Sequence, residues 1–307
     1  MRSVTLQNRR LRTTVICPLT SRGTFSEINI LLLASLYAEQ VGADFFVDDR
    51  RWAPGGREGY SRFFDVPFPR WSKPSPHYAA FRHHFVSTIC RAAYNWVSGE
   101  RVLSAARVFD EMTSYSFWLT ALNVEDETDV DAELFRRKKA ALEQFYRFNA
   151  VTRRQIEELC VANRLPPTYC AVHVRRGDKI TSGEMTNVPL ERYAEAAVAH
   201  GCPDVVIFSD DARVVEPFRR QVRSLAGSNC RVVDRTEPGA VGFLDSRFRA
   251  AGEGQRVSEV VRVFADMALM IRAKHLVCTM SSNLPRFAAL HLGTERCTSL
   301  DVAWHPF

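Results

Sequence analysis

The sequence predicts an α/β fold of two lobes, each built around a parallel sheet. Short apolar runs alternate with segments of helical spacing in both halves of the chain, which is the pattern of strands joined by crossover helices. A length of 307 residues exceeds what a single hydrophobic core usually organises. We therefore predict a first lobe over residues 1–150 and a second lobe over residues 151–307.

The first lobe opens with a predicted β-turn-α-β unit. Strands over 13–19 and 43–47 flank a helix over 25–41 that stops at a glycine. The turn between the first strand and the helix carries Arg22 and Gly23, and its position before a helix N-terminus suits a phosphate group. A plain connecting loop explains these two residues equally well.

The remainder of the first lobe is predicted to be irregular at first and then helical. Residues 54–76 are rich in proline, glycine and aromatic residues, which predicts a segment without regular structure. The pair His83-His84 lacks a third ligand at metal spacing and is assigned to the surface or to an interface rather than to a metal site. The basic run over 136–139 is typical of a solvated helix face. Helical spacing marks three stretches, with an acidic break at 124–131 before the last of them: 77–96, 104–122 and 132–163.

The second lobe is predicted to alternate regularly between strands and helices. Three of its strands end in polar clusters, which parallel strands place along one edge of the sheet. A glycine-rich loop over 237–255 separates the third strand from the helix that follows it. The predicted strands are 169–174, 204–208, 231–234 and 275–279, and the predicted helices are 190–200, 213–225, 257–273 and 284–292.

The residues that follow the strand over 169–174 carry the strongest functional signal. Arg175 and Arg176 are adjacent, and guanidinium groups bind a diphosphate through paired hydrogen bonds. Gly177 allows the backbone to turn there and to approach a ligand closely. The alternative is a surface turn in which Asp178 pairs with an arginine and nothing binds.

Two other polar clusters end strands of the same predicted sheet. Ser281 and Ser282 precede a predicted helix, where hydroxyl groups and unpaired backbone N–H groups can converge on an anion. Asp210 and Asp211 follow another strand, and either pair could instead cap the helix after it. Because no further acidic ligands flank the aspartates, we expect no metal ion, and the basic residues would neutralise the diphosphate themselves.

The overall composition narrows the choice of function. A net charge of +6 and a pI near 9.0 favour an anionic partner, such as a nucleic acid, a membrane surface or a nucleotide sugar. The sequence has no Gly-x-Gly-x-x-Gly or Walker loop and no helix-turn-helix, zinc-finger or RNA-binding signature, which argues against dinucleotide enzymes, ATPases and nucleic-acid binding. Eight cysteines without a Cys-x-x-Cys pair predict reduced thiols.

The hydropathy of the sequence predicts no stable insertion into a membrane. Its longest apolar stretch is interrupted by polar residues and is too short to span a bilayer. We therefore expect a soluble, cytoplasmic protein, or a protein of the Golgi or endoplasmic reticulum lumen if a membrane anchor precedes this sequence.

The pattern His-x-Arg-Arg-Gly-Asp-Lys over residues 173–179 resembles the signature of the fucosyltransferase superfamily. It is closest to the α-1,6-fucosyltransferase type and its peptide O-fucosyltransferase relatives. The strand end at 208–211 is similar to the middle motif of that superfamily. Segment 264–286 is similar to the third motif, in which an aspartate precedes the first of two serines by fifteen residues. The resemblance spans residues 169–292.

The resemblance implies a GT-B fold, in which two Rossmann-like lobes face each other across a cleft and the second lobe binds the donor. It implies GDP-fucose as the donor, no cofactor or metal ion, and a single displacement that inverts the anomeric carbon. The acceptor would be a hydroxyl group of a glycan or glycoprotein on the side of the first lobe. Arg175 would hold the β-phosphate, His173 and Asp266 the guanine, and Ser281 and Ser282 the phosphates. The other candidate donor-binding residues are Arg176, Lys179, Asp210, Arg22 and Gly23.

An inverting transfer needs a base that takes the proton of the acceptor hydroxyl. The α-1,6 type places a glutamate a few residues beyond the lysine, where this sequence has Gly183 followed by Glu184. Glu184 is therefore the first candidate, and Asp178 and Asp211 are the reserves, with Arg175 also counted among the catalytic residues. Two alternatives remain open: an α-1,2-type fucosyltransferase, and a GDP-sugar-binding protein that has lost catalysis.

Overall fold

The computed structural model describes residues 12–20, 22–72, 92, 95, 101–162 and 165–307 of the chain. The pair His83-His84 and most of the helix predicted over 77–96 lie outside these residues.

The first sheet contains the predicted β-turn-α-β unit. Strands β1 (Thr13–Pro18) and β2 (Asp44–Asp48) are parallel neighbours and are connected through helix α1 (Thr24–Gln40). A third strand, β3 (Arg101–Val102), pairs with the other edge of β1 and gives the order β2-β1-β3. The sequence did not predict β3, because two residues carry no alternation that could reveal a strand.

The helical stretch predicted over 104–122 is a pair of helices. These are α2 (Ala105–Met112) and α3 (Tyr115–Leu122). Ser114 begins the second helix, since its hydroxyl accepts a hydrogen bond from the backbone three residues later at 3.5 Å. The predicted helical stretch is therefore confirmed, but its division into two helices was not predicted.

Helix α4 (Glu127–Phe145) begins inside the segment predicted as an acidic break over 124–131. The carboxylate of Asp126 accepts a hydrogen bond from the backbone three residues later at 2.9 Å and caps the helix. Acidic residues in a first turn also interact favourably with the helix dipole. Helix α5 (Ala150–Ala162) follows separately, so the break and the single helix over 132–163 were both wrong.

The second sheet has five parallel strands, and its four predicted strands are confirmed. The strands are β4 (Cys170–Val174), β5 (Asp204–Ser209), β6 (Arg231–Asp234), β7 (His275–Cys278) and β8 (Cys297–Ser299). The helices are α6 (Asp178–Thr181), α7 (Leu190–Ala199), α8 (Val215–Ala226), α9 (Asp245–Ala250), α10 (Glu253–Met270) and α11 (Asn283–Leu292). The order is β6-β5-β4-β7-β8. Strand β8 was not predicted, and the loop predicted over 237–255 contains α9 and the first turn of α10.

The largest buried cluster draws side chains from both halves of the chain. Phe25 of α1 packs on Phe287 of α11, with 5.0 Å between the ring centroids. Within the basic run over 136–139, Lys138 is completely buried, so the prediction of a solvated face was wrong for that residue. The α/β class with parallel sheets is confirmed, whereas the lobe boundary near residue 150 stays a prediction.

The sequence analysis also made predictions about the cysteines and about membrane insertion. The seven cysteines among the described residues are free, as expected. In the part of the chain that the structure describes, none of the helices combines the length and the apolar character needed to cross a bilayer.

Candidate functional site

The second sheet changes its winding direction between β4 and β7. The chain passes from β4 to β5 on one side, while β7 pairs with β4 on the other side. Ligands of open α/β sheets bind at such a switch point, outside the carboxyl ends of the strands. The segment 175–179 leaves β4 at this place, and Ser281 and Ser282 follow β7.

Arg175 lies at the centre of a small network of charges. Its guanidinium group contacts the carboxylate of Asp178 at 2.9 Å and that of Asp210 at 3.0 Å. It also lies over the ring of Phe243, 5.2 Å from the centroid. The side chain is 17% exposed. The guanidinium group is thus held on the β5 side of β4, and a phosphate group would have to share it with two carboxylates.

Asp210 holds the turn from which Arg175 projects. Its carboxylate accepts hydrogen bonds from the backbone N–H groups of Arg176 at 2.8 Å, Gly177 at 2.9 Å and Phe243 at 3.0 Å. These bonds join the end of β4 to the loop before α9. A direct contact between Asp210 and a donor stays a prediction; the observed contacts fix the backbone around Arg175.

Arg176 lies on the opposite face of the sheet. Its guanidinium group donates to the carbonyl of Val188 at 2.8 Å and lies 6.0 Å from the ring centroid of Tyr193. Both residues belong to the buried cluster that contains Val172 and Val174 of β4. The side chains of the two adjacent arginines therefore do not point to the same place. A role for Arg176 in donor binding stays a prediction.

His173 is buried near the end of β4 and is 7% exposed. Because side chains alternate along a strand, it shares a face with Ala171, which packs in the cluster that contains Phe264 of α10. Burial lowers the pKa of His173 to about 4, with Asp210 opposing this effect and Arg175 adding to it. The imidazole is therefore neutral near pH 7.

We expect His173 to make the folding stability depend on pH. The folded protein holds the neutral ring, so this stabilisation is complete above the unfolded pKa and is lost as the pH falls from 6.5 towards 4. Between about pH 7.5 and pH 5 the loss due to this residue is about 2 kcal/mol. Denaturant unfolding of the wild type and of His173→Gln at both pH values measures it. A variant with an undiminished pH dependence would contradict the assignment.

Asp266 lies on α10 and pairs with Arg235, which follows β6. The distance from the guanidinium Nη2 atom to the carboxylate is 3.1 Å. Burial raises the pKa of Asp266 to about 6, although Arg235 acts in the opposite direction. Since α10 packs on the face of the sheet that carries His173, the two residues predicted to bind guanine lie on one side of the sheet.

The two serines after β7 have different surroundings. Ser281 donates its hydroxyl hydrogen to Asp301, a residue that the sequence analysis did not identify. Ser282 is the N-cap residue of α11, but its side chain makes no capping hydrogen bond. Asp301 lies beyond the span of the sequence resemblance, and an isolated aspartate near the end of the chain carries no signal of its own.

All three candidate bases form ion pairs. Glu184 contacts Lys179 at 3.1 Å, Asp211 contacts Arg213 at 2.7 Å, and Asp178 contacts Arg175. The hydrogen bond from Lys179 lowers the pKa of Glu184, and the one from Arg213 lowers the pKa of Asp211. Asp211 also caps the turn over 212–214, as the structural alternative predicted. A lowered pKa weakens a carboxylate as a base, so the identity of the base stays a prediction.

The β1–α1 turn is shaped by a buried glutamate. One carboxylate oxygen of Glu27 accepts hydrogen bonds from the backbone N–H groups of Thr20 at 3.1 Å and Arg22 at 3.2 Å. The guanidinium group of Arg22 lies 5.3 Å from the ring centroid of Phe109. Gly23 precedes α1 and has open space where a side chain would stand. No hydrogen bond or ion pair joins these residues to Arg175 within the described part of the chain.

A groove of about 690 Å³ lies elsewhere, in the first half of the chain. Its lining includes Gln40, Arg107 and Phe117, at the end of α1 that is remote from Arg22. None of the predicted site residues lines it. Among the described residues, no group of three or more His, Cys, Asp or Glu side chains is arranged to hold a metal ion; metal independence itself stays a prediction.

The fold is that of solved fucosyltransferase structures. The NodZ α-1,6-fucosyltransferase of Bradyrhizobium, soaked with GDP-fucose, matches with a TM-score of 0.52 and 16% identity over 92% of this chain and 93% of that one. FUT1 of Arabidopsis thaliana, in complex with GDP, matches with a TM-score of 0.52 and 12% identity over 92% of this chain and 69% of that one. Neither protein-family models nor curated proteins match the sequence. The likenesses confirm the GT-B fold that the sequence resemblance implied, and at such low identity they concern the fold alone.

Proposed function

We propose that the protein transfers fucose from GDP-fucose to a hydroxyl group of a glycan or protein. In this proposal it is an inverting, metal-independent glycosyltransferase of the α-1,6-fucosyltransferase kind. The observation that carries the proposal is the position of Arg175, a partly buried cation at the switch point of a fold shared with fucosyltransferases. The matched NodZ structure was soaked with GDP-fucose and the FUT1 structure contains GDP, which supports the same donor here.

In this proposal Arg175 and the N-terminus of α11 stabilise the diphosphate leaving group, in competition with the two carboxylates that contact Arg175. One charge at about 4 Å contributes on the order of 4 kcal/mol at an intermediate dielectric, before desolvation is subtracted. Departure of GDP would increase the negative charge between Arg175 and the N-terminus of α11, where the helix dipole also favours an anion. Neutral His173 and the partly buried Asp266 would contact the guanine on the α10 side of the sheet.

Calorimetric titration with GDP, GDP-fucose and GDP-mannose in the presence of a metal chelator tests the donor. We expect GDP and GDP-fucose to bind under these conditions, because a cationic side chain takes the place of a metal ion. Binding that requires added Mg²⁺ would contradict metal independence. Absence of GDP binding with and without Mg²⁺ would contradict the proposed function.

A second candidate, a GDP-sugar-binding protein without transferase activity, is favoured by the ion pairs of Glu184, Asp178 and Asp211. A transfer or hydrolysis assay with GDP-fucose separates the two. For a transferase with Glu184 as base, we expect Glu184→Gln to lower kcat about 100-fold or more while GDP affinity is kept. Glu216→Gln, on the exposed side of α8, is the matched control and should keep full activity. A wild-type protein that binds GDP-fucose but never turns it over would support the binding protein.

A further inference from the structure

Asp301 contacts the turn that leads into the candidate phosphate site. One carboxylate oxygen accepts hydrogen bonds from the backbone of Met280 at 2.8 Å and from the hydroxyl of Ser299 at 2.9 Å. The other accepts from the backbone N–H of Ser281 at 3.3 Å and from the Ser281 hydroxyl. Burial acts to raise the pKa of Asp301, but these hydrogen bonds outweigh it and hold the pKa below its ordinary range. The carboxylate is therefore ionised at neutral pH.

The position of Asp301 is fixed from both directions along the chain. Before it, β8 pairs with β7, and the backbone N–H of Leu300 donates to Cys278 at 2.9 Å. After it, the indole of Trp304 donates to the carbonyl of Arg286 at 3.0 Å. Buried Lys138 of α4 then donates to the carbonyl of Pro306 at 2.8 Å. Asp301 can consequently act as a rigid support for the turn.

Because of the contact with Asp301, Ser281 and Ser282 differ in the hydrogen bonds that they can offer to a ligand. The hydroxyl hydrogen of Ser281 is used in the bond to Asp301, so it is not available to a phosphate oxygen in this arrangement. The Ser282 hydroxyl makes no capping bond, and it lies at the N-terminus of the ten-residue helix α11. An anion placed there can accept hydrogen bonds from Ser282 and from the first backbone N–H groups of the helix.

We propose that Asp301 is a positioning residue for the donor. It holds the turn from Met280 to Ser282 so that the Ser282 hydroxyl and the N-terminus of α11 face the phosphates of a nucleoside diphosphate. This inference rests on the proposed function, since it requires GDP to occupy the site.

The test measures the affinity for GDP of Asp301→Asn by calorimetry, together with hydrogen exchange of residues 279–284. The asparagine cannot accept the bonds from Ser281 and those from Met280 and Ser299 at the same time, because they reach two different oxygens of Asp301 and one of the two terminal atoms of asparagine is a donor. We expect GDP to bind about tenfold more weakly than it does to the wild type. We also expect the amides of this turn to exchange faster than they do in the wild type, with the amides of β4 as the internal reference. Asp204→Asn is the matched control, since it breaks an exposed pair with Arg231 at the other end of the sheet, and it should leave GDP affinity unchanged.

A double-mutant cycle distinguishes positioning from a general loss of stability. If Asp301 acts through Ser281, the variant carrying both Asp301→Asn and Ser281→Ala should bind GDP no more weakly than Asp301→Asn alone. Additive losses would overturn the proposal, as would a folded Asp301→Asn variant that keeps wild-type affinity. A wild-type protein that does not bind GDP would instead reject the proposed function.

Ser299→Ala serves if Asp301→Asn does not fold. The Ser299 hydroxyl donates to Asp301 and accepts from the backbone of Met280 at 3.2 Å, so its loss loosens the same turn without burying a new polar group. We expect about threefold weaker GDP binding. Unchanged GDP affinity and unchanged exchange of the turn in this variant would overturn the proposal.

Discussion

Replacing Arg175 with alanine will remove most of the affinity for GDP. The guanidinium group is the cation that lies between Asp178 and Asp210 at the carboxyl end of β4, and its loss removes the positive charge that offsets these two carboxylates. We expect GDP to bind at least 30-fold more weakly, about 2 kcal/mol, the order of cost of unpairing a charged hydrogen-bonding group. Arg175→Lys should recover only part of this loss, because a lysine keeps the charge but cannot form two parallel hydrogen bonds. Calorimetric titration of the three proteins with GDP measures the effect.

Arg213→Ala is the matched control for that experiment. Arg213 also pairs with an aspartate at the end of a strand, but its side chain is 73% exposed. We expect GDP affinity within about twofold of the wild type, since exposed ion pairs contribute little. Unchanged affinity in Arg175→Ala would reject the assignment of Arg175 to the phosphates, provided that denaturant unfolding shows the variant to be folded.

The strands of the second sheet could be predicted because each carries its own signal. Strand β4 is an uncharged buried run that breaks into charged residues at once, and β5 and β7 are apolar runs that also lead into polar clusters. Strands β3 and β8 carry no such signal, because two and three residues are too few to show a pattern. The pattern of helical spacing likewise did not reveal the helix N-termini at Ser114 and Asp126, because a hydrogen bond to a single capping side chain decides each of these boundaries.

The candidate site was predictable in its position and much less so in its contacts. Parallel strands place their polar ends along one edge, so the proximity of the β4 and β7 ends followed from sequence pattern. The hydrogen-bond and ion-pair partners of each side chain could not be predicted from the sequence pattern. Arg176 turns to the opposite face from His173, and Asp301 reaches Ser281 from β8, and both outcomes depend on packing between segments far apart in the chain.

Gly177 is the position where a single methyl group is expected to do the most damage to the fold of the site. A Cβ atom there would stand 2.4 Å from the carbonyl oxygen and 2.6 Å from the nitrogen of Phe243, and 2.7 Å from a carboxylate oxygen of Asp210. The Phe243 atoms belong to a backbone that is itself bonded to Asp178 and Asp210. The loop before α9 therefore cannot retreat without breaking those bonds.

We expect Gly177→Ala to lower the free energy of unfolding by about 3 kcal/mol, the upper range for overpacking a rigid site. It should also weaken GDP binding, because the displaced loop carries the Phe243 ring that lies against Arg175. Gly252→Ala is the matched control, since open space surrounds that glycine, and it should change stability by no more than about 1 kcal/mol, the order of the cost of alanine at a helix N-cap. Denaturant unfolding and GDP titration of both variants provide the measurement. A Gly177→Ala protein as stable as the wild type would contradict the contact between the end of β4 and the loop before α9. It would also contradict the support of Arg175 by Asp210 and Phe243, which depends on that contact.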